Sequence, residues 1–83
     1  MPLFMDIHQH VEGLTADAVG QAHKADLETQ QKYCVKYLRY WFDETTGKVF
    51  CLVEAPSKEA AIAVHREAHG LVADEIIEVQ EGS

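Results

Sequence analysis

Helical and strand-like segments alternate along this chain of 83 residues, and their order is the feature that most restricts its fold. Residues 3–10 alternate apolar and polar side chains, which is typical of a strand. The full set of segments, in chain order, is strand 3–10, helix 16–32, strand 35–42, strand 48–54, helix 58–69 and strand 75–80. This order predicts the β-α-β-β-α-β arrangement of a ferredoxin-like α+β sandwich, in which both helices cover one face of a four-stranded sheet.

Cap and turn residues support these boundaries. Thr15 and Ser57 are good N-cap residues for the two helices, and Gly70 is suited to end the second helix in a left-handed conformation. Residues 43–48 (DETTGK) predict a hairpin turn in which Gly47 adopts a positive φ at low cost. A chain of this length is expected to form one domain over residues 1–83.

The hairpin also tests whether the two cysteines can pair. It places Tyr40 opposite Cys51, so Cys34 lies about 20 Å further along its strand at about 3.3 Å per residue. A disulfide requires Cα atoms within about 7 Å of each other. Cys34 and Cys51 are therefore expected to be unpaired thiols, as in a reducing cytoplasm.

Charge and hydropathy argue against two classes of partner. The formal net charge is -7, and the seven Lys and Arg residues form no run, whereas a nucleic-acid surface needs clustered basic side chains. No apolar run approaches the length of a membrane span, and residues 1–11 lack the basic start of a signal peptide. We expect a cytoplasmic protein that binds neither nucleic acid nor membrane.

The sheet face opposite the helices is expected to be apolar. In the simplest strand phasing it carries five large side chains: Phe4, Tyr37, Trp41, Val49 and Val53. An exposed apolar patch of that size usually marks an interface. We therefore predict a homodimer packed through the open sheet faces. The alternative is a monomer in which this sheet face is exposed to solvent.

Four of the five histidines form two pairs whose spacing suits a metal ion. His8-x-His10 places two imidazoles on one face of a strand, and His65-x-x-x-His69 places two on one flank of a helix. The expected topology brings at least His8, His10 and His69 to one end of the domain. The hairpin turn adds two carboxylates there, Asp43 and Glu44. Nickel, zinc and copper all accept imidazole nitrogens, with carboxylate or water completing the shell.

Each histidine pair also has an ordinary structural interpretation. His8 and His10 could be solvent-facing residues at a strand end. His65 lies on the border of the inner stripe of its helix, where a partly buried histidine with an internal hydrogen bond is the commoner outcome.

Asp26 is the most anomalous single residue, because helical projection places its carboxylate on the inner side of the first helix. A carboxylate facing a core must be paired, hydrogen-bonded or neutralised. His23, one turn earlier, is within reach as a partner. If Cys51 lies beneath this helix, His23, Asp26 and Cys51 form an inner polar site that could hold a metal or a small ligand, act as an acid/base pair, or serve only as a structural network.

No catalytic signature accompanies these groups. The chain lacks a nucleophile elbow, a phosphate loop, a CxxC motif and a dinucleotide fingerprint. An enzyme of the dimeric ferredoxin-like class, such as a small monooxygenase or isomerase, remains the alternative to metal binding, and this alternative rests on fold analogy. Such an enzyme would need an enclosed cleft of a few hundred Å³ around Asp26.

Four features together resemble a family of small bacterial nickel-binding proteins formerly labelled only as a domain of unknown function. They are the strand-end His8-x-His10, His23-x-x-Asp26, FCLVEAP at 50–56 and VHREAHG at 64–70. The resemblance covers essentially the whole chain. It implies a ferredoxin-like subunit, a dimer, and nickel held at the dimer surface for sequestration or detoxification. Cys34 differs from the glycine expected between helix and strand.

With this resemblance, the sequence predicts a homodimer that binds a divalent transition metal, nickel first, without catalysing a reaction. The ligands predicted from spacing are His8, His10, His65 and His69. The ligand imidazoles must be neutral, so binding is expected to weaken as the pH falls through the histidine range.

Overall fold

The computed structural model describes residues 1–82 and has the ferredoxin-like α+β architecture. Its elements are β1 (Leu3–His8), α1 (Ala16–Thr29), a short 3-10 helix (Gln30–Tyr33), β2 (Lys36–Asp43), β3 (Lys48–Glu54), α2 (Lys58–Ala68) and β4 (Glu75–Val79). The predicted element order is confirmed. Of the two helices within residues 1–82, neither is long and apolar enough to cross a bilayer.

The four strands form one antiparallel sheet in the order β2-β3-β1-β4. As predicted, the hairpin places Tyr40 opposite Cys51 and Phe42 opposite Val49. Both cysteines are free, which confirms that they do not pair. Cys34 itself adopts φ 58 and ψ 36 after the 3-10 helix, which is the left-handed conformation that glycine usually supplies at this position.

The predicted phase of the sheet is wrong for four of the five residues assigned to the open face. Phe4, Tyr37, Val49 and Val53 are buried and pack in the core with side chains of the two helices, whereas Trp41 is 48% exposed. A register shift between Tyr37 and Arg39 explains why two odd-numbered residues of β2 face opposite sides. Such a bulge reverses the alternation of side chains along the strand.

Strand β1 explains the rest of the error, because both of its faces offer apolar side chains. Leu3, Met5 and Ile7 are only half-buried, while Phe4, Asp6 and His8 alternate with them as buried residues. The face with more apolar residues is thus the open one. The face that carries a carboxylate and an imidazole is covered by the helices, and this places polar groups inside the fold.

The loops at the carboxyl end of β1 are tied to their neighbours by hydrogen bonds. The Gln9 backbone N–H donates to Asp74 Oδ2 at 2.7 Å, and the Val11 N–H donates to the Gly47 carbonyl at 2.9 Å. Gly47 is buried with φ 79, and a Cβ there would lie 3.0 Å from His10 Nδ1. The hairpin turn therefore packs directly against the segment that follows β1.

Candidate metal centre

Three elements place carboxylates and imidazoles together between the helices and the sheet. Asp6 and His8 lie two residues apart on β1, so both point to its covered face. Helix α1 contributes Asp26, and α2 contributes His65 followed by His69 at its C-cap. All except His69 are buried. We call these five residues the inner cluster.

His65 lies at the centre of the inner cluster, between two carboxylates. Its Nδ1 donates to Asp26 Oδ1 at 2.8 Å, and its Nε2 lies 3.0 Å from Asp6 Oδ2 in an ion pair. The ring also stacks on Tyr37 with a centroid distance of 4.6 Å. The Tyr37 hydroxyl donates to the same Asp6 oxygen at 2.9 Å. The orientation of the imidazole is therefore fixed from both ends and from one face.

The two other imidazoles extend this chain of alternating groups. His69 Nε2 lies 3.0 Å from Asp26 Oδ1, and His8 Nε2 lies 3.5 Å from Asp6 Oδ1. The Leu71 backbone N–H donates to His69 Nδ1 at 3.1 Å. The order across the cluster is thus His8, Asp6, His65, Asp26, His69.

The electrostatics of the cluster keep its central groups charged. Burial opposes charge on His65, but the adjacent Asp26 and Asp6 carboxylates outweigh it and raise the pKa of the imidazole to about 9. Burial likewise opposes charge on Asp6 and Asp26, but their imidazole neighbours hold both carboxyl pKa values below the usual range. At neutral pH the centre therefore contains two carboxylates and an imidazolium.

Cys51 lies on the covered face of β3 beside Asp6. Burial, together with the negative charge of Asp6, raises the pKa of its thiol well above the ordinary value. Cys51 is therefore a protonated thiol in the metal-free protein. To become a thiolate it needs a nearby cation, which a bound metal would supply.

Two sets of donor atoms in the inner cluster and its surroundings are close enough to hold an ion. Asp6, His8, Cys51 and His65 each offer one donor within 4.8 Å of the others, and so do Asp26, His65 and His69. Ligands about 2.1 Å from a metal lie about 3 Å apart when they are cis to each other. The 3.0 Å contact between His65 and Asp6 matches that spacing.

Polar atoms without a well-directed hydrogen bond occur in both sets. Among residues 1–82, Asp6 Oδ1 is buried without a hydrogen-bond partner. His65 Nε2 and His69 Nε2 are also buried without a well-directed hydrogen bond, although each lies 3.0 Å from a carboxylate oxygen. Buried polar atoms normally have partners, so each exception calls for an explanation such as an ion. Asp6 and His65 belong to the first set, and His65 and His69 belong to the second. The first set also offers a thiol sulfur, and its residues fit a divalent transition metal.

The structure brings together three of the four histidines predicted as ligands. His8, His65 and His69 lie in the inner cluster, with ring centroids of neighbouring pairs 5.3 and 4.8 Å apart. His10 instead follows the end of β1, with its side chain 69% exposed and its Nε2 3.7 Å from Glu12 Oε1. The hairpin carboxylate of Asp43 caps its own turn by accepting from Thr45 N–H.

The predicted inner polar site is rearranged. Asp26 is buried on the inner side of α1 and Cys51 lies on the covered face of β3. His23 packs on the Tyr40 ring at a centroid distance of 4.7 Å, and Asp26 takes its imidazole partners from α2. Asp6 was missed as a functional residue, although its position two residues before His8 on one strand face was the available signal.

A half-open cleft of about 130 Å³ leads from the surface to the inner cluster. It lies between α1 and the sheet, and we call it the side cleft. Its apolar lining is formed by Leu14, Ala18, Val19, Ala22, Val49 and Leu71. Its polar lining includes His23, Tyr40 and Cys51 together with His8, Asp26, His65 and His69. The side cleft therefore borders donor residues of both sets.

Comparison with known proteins gives two matches. The family model described as "Nickel responsive protein SCO4226-like" matches residues 4–79. The crystal structure of SCO4226 from Streptomyces coelicolor A3(2) is similar to this chain, with 42% identity and a TM-score of 0.90 over 98% of this chain and 99% of that chain. A comparison with curated proteins gives no match.

Proposed function

The chain belongs to the SCO4226-like nickel responsive protein family, and we propose that it binds nickel for sequestration or detoxification. The observation that carries this proposal is the set of donors formed by Asp6, His8, Cys51 and His65, which are all buried and whose donor atoms lie within 4.8 Å of one another. Nitrogen, oxygen and sulfur donors together suit the borderline divalent metals. These ligand types also bind zinc and copper and do not select among the three metals. We therefore take the preference for nickel from the family description.

Asp26 has a supporting role in this site. Its carboxylate holds the Nδ1 proton of His65, which directs Nε2 toward Asp6, His8 and Cys51. Metal-binding histidines generally donate their second ring nitrogen to a carboxylate in this way. A second ion position at Asp26, His65 and His69 shares the same imidazole. The exposed His10 lies outside both sets, so the proposed site does not include this predicted ligand, and the titration of His10→Ala tests its role.

Nickel titration of single variants tests the site. His8→Ala is expected to weaken nickel binding by at least about 10-fold to 100-fold, because it removes a direct donor of a buried site and loss of an outer partner alone typically costs that much. His10→Ala is the matched control and is expected to bind nickel as the unchanged chain does. Isothermal calorimetry measures both affinities, and circular dichroism verifies that the variants fold.

The opposite pattern would contradict the buried site. If His10→Ala weakens binding and His8→Ala does not, nickel binds at the protein surface. Cys51→Ser provides an independent readout, because a thiolate ligand gives nickel a charge-transfer absorption band that a serine oxygen does not. That band is expected in the unchanged chain and absent from the variant.

The enzyme alternative has less support. It requires a cleft of a few hundred Å³, and the side cleft measures about 130 Å³. Metal binding needs only the converging donors of the inner cluster.

We also propose that the open sheet face forms the contact of a homodimer. Trp41 and Ile77 are exposed on it, and Met5 and Leu52 lie half-buried between them. Contiguous apolar surface of this kind favours association.

Trp41→Glu is expected to shift the mass measured by sedimentation equilibrium from dimer to monomer. Leu27→Glu, an equally exposed apolar residue of α1, is expected to leave the mass unchanged; equal behaviour of the two variants would exclude the open face.

A further inference from the structure

The ring of His65 lies between the two sets of donor atoms and belongs to both. The first set comprises Asp6, His8, Cys51 and His65, and the second comprises Asp26, His65 and His69. The Nε2 atom of His65 faces the first set and lies 3.0 Å from Asp6 Oδ2. Its Nδ1 atom faces the second set and lies 2.8 Å from Asp26 Oδ1. Either nitrogen of an imidazole can bind a metal, and a ring that has lost both protons can bind one ion on each side.

The second set has donors of its own at the spacing of metal ligands. Asp26 Oδ1 lies 2.8 Å from His65 Nδ1 and 3.0 Å from His69 Nε2. Ligands about 2.1 Å from a metal lie about 3 Å apart when they are cis to each other. His69 Nε2 is buried and makes no well-directed hydrogen bond within the described part of the chain. All three residues border the side cleft of about 130 Å³, which has room for the water that completes a shell of three protein ligands.

Charge compensation in the buried cluster favours filling both positions. An ion in the first set requires a Cys51 thiolate and a neutral His65, so the carboxylate of Asp6 and the thiolate cancel the two charges of the ion. Asp26 then loses the imidazolium that compensates it in the metal-free protein. A buried carboxylate without a positive partner is costly. A second divalent ion beside Asp26, together with the loss of the remaining ring proton of His65, leaves the cluster with no net charge.

We propose that His65 bridges two nickel ions as an imidazolate, with the first ion at Nε2 and the second at Nδ1, where Asp26 and His69 also bind it. This inference rests on the proposed nickel site and extends it to a centre of two ions. Each ligand donates a lone pair, so nothing is oxidised or reduced. Two protons leave the His65 imidazolium and one leaves the Cys51 thiol, and all three pass to the solvent. Asp26 accepts the Nδ1 proton while one ion is bound and becomes a ligand when the second ion binds.

Nickel content at saturation, measured by equilibrium dialysis and elemental analysis, tests the second position. The unchanged chain is expected to bind two ions, and His69→Gln is expected to bind one ion fewer while keeping the nickel–thiolate absorption band at full intensity. Glutamine retains a side-chain donor for Asp26, which favours folding of the variant. His10→Gln is the matched control, because it makes the same substitution at an exposed histidine, and it should retain both ions. Equal nickel content in His69→Gln and the unchanged chain would overturn the proposal.

Anomalous scattering at the nickel edge, from crystals of the nickel-loaded chain, supplies a second measurement that needs no variant. Two fully occupied peaks are expected on opposite sides of the His65 ring, one at each nitrogen. A peak at Nε2 alone would exclude the bridge, and so would two peaks whose occupancies add up to one ion. The proposed nickel site fails differently: the thiolate band is absent and no peak lies at His65 Nε2, and the bridge is then excluded with it.

Discussion

Replacing His65 with alanine is expected to lower the free energy of unfolding by about 3–5 kcal/mol, because it leaves two buried charges without a partner. Asp6 is 1% exposed and Asp26 is 2% exposed, and His65 contacts both carboxylates. With the imidazolium removed, each carboxylate must remain charged in a poorly hydrated space or take up a proton. Urea denaturation of the metal-free protein measures the loss.

The matched control for this variant is His10→Ala, which removes an exposed imidazole and is expected to change the unfolding free energy by less than about 0.5 kcal/mol. A chain of this length has a total stability of only about 4–12 kcal/mol. A loss of 3–5 kcal/mol could therefore prevent His65→Ala from folding. In that case, combining it with Asp6→Asn and Asp26→Asn is expected to restore folding, since neutral amides cost less free energy to bury than carboxylates. A loss below about 1 kcal/mol in His65→Ala would show that water reaches and screens the carboxylates.

The fold could be predicted from the sequence because its evidence is local. The period of the apolar residues, the caps at Thr15 and Ser57 and the turn around Gly47 each depend on a few neighbouring residues. The side chains of both caps accept backbone hydrogen bonds in the structure, from Ala18 and Ala60. The element order then follows, and with it the ferredoxin-like topology.

The phase of the sheet could not be predicted in the same way. Counting apolar residues assigns the covered face of a strand correctly only when one face is clearly polar. In β1 the covered face carries Asp6 and His8, whose burial is compensated by His65 and Tyr37 from elements far away in the sequence. The register shift between Tyr37 and Arg39 also reversed which side chains of β2 face the helices, and no local sequence pattern predicts this shift.

The candidate site shows the same division between local and distant information. Helical projection correctly placed Asp26 inside, because the projection depends only on α1 itself. It gave the partner as His23, the nearest imidazole in sequence, whereas the structure pairs Asp26 with His65 and His69 of α2. Contacts between elements depend on how the two helices sit on the sheet, and a single sequence contains no direct record of that placement.

The stability of the metal-free protein is expected to fall by about 3 kcal/mol between pH 6.5 and pH 9. The reason is that the pKa of His65 is about 9 in the folded protein, above its ordinary value of 6.5. A raised pKa means that the folded state holds the proton more tightly, so the contribution is complete below pH 6.5 and is lost as the pH rises through 9. The lowered pKa values of Asp6 and Asp26 act at the other end, since their contribution is lost on acidification below about pH 4. Urea denaturation at pH 5, 6, 7, 8 and 9 measures the slope, and a flat profile from pH 6.5 to 9 would exclude a stabilising imidazolium.

Nickel affinity is expected to change in the opposite direction over the same range. A metal held by His65 Nε2 and the Cys51 thiolate must displace two protons, one retained by the raised His65 pKa of about 9 and one by the raised pKa of the Cys51 thiol. The affinity should therefore rise about a hundredfold per pH unit up to pH 9. An ordinary surface histidine would give a plateau above about pH 7 instead, because its pKa is near 6.5. Calorimetric titrations in two buffers of different ionisation enthalpy would measure both the affinity and the number of protons released. His10→Ala should retain the slope, and a plateau already reached at pH 7 in the unchanged chain would place nickel on exposed imidazoles and away from the inner cluster.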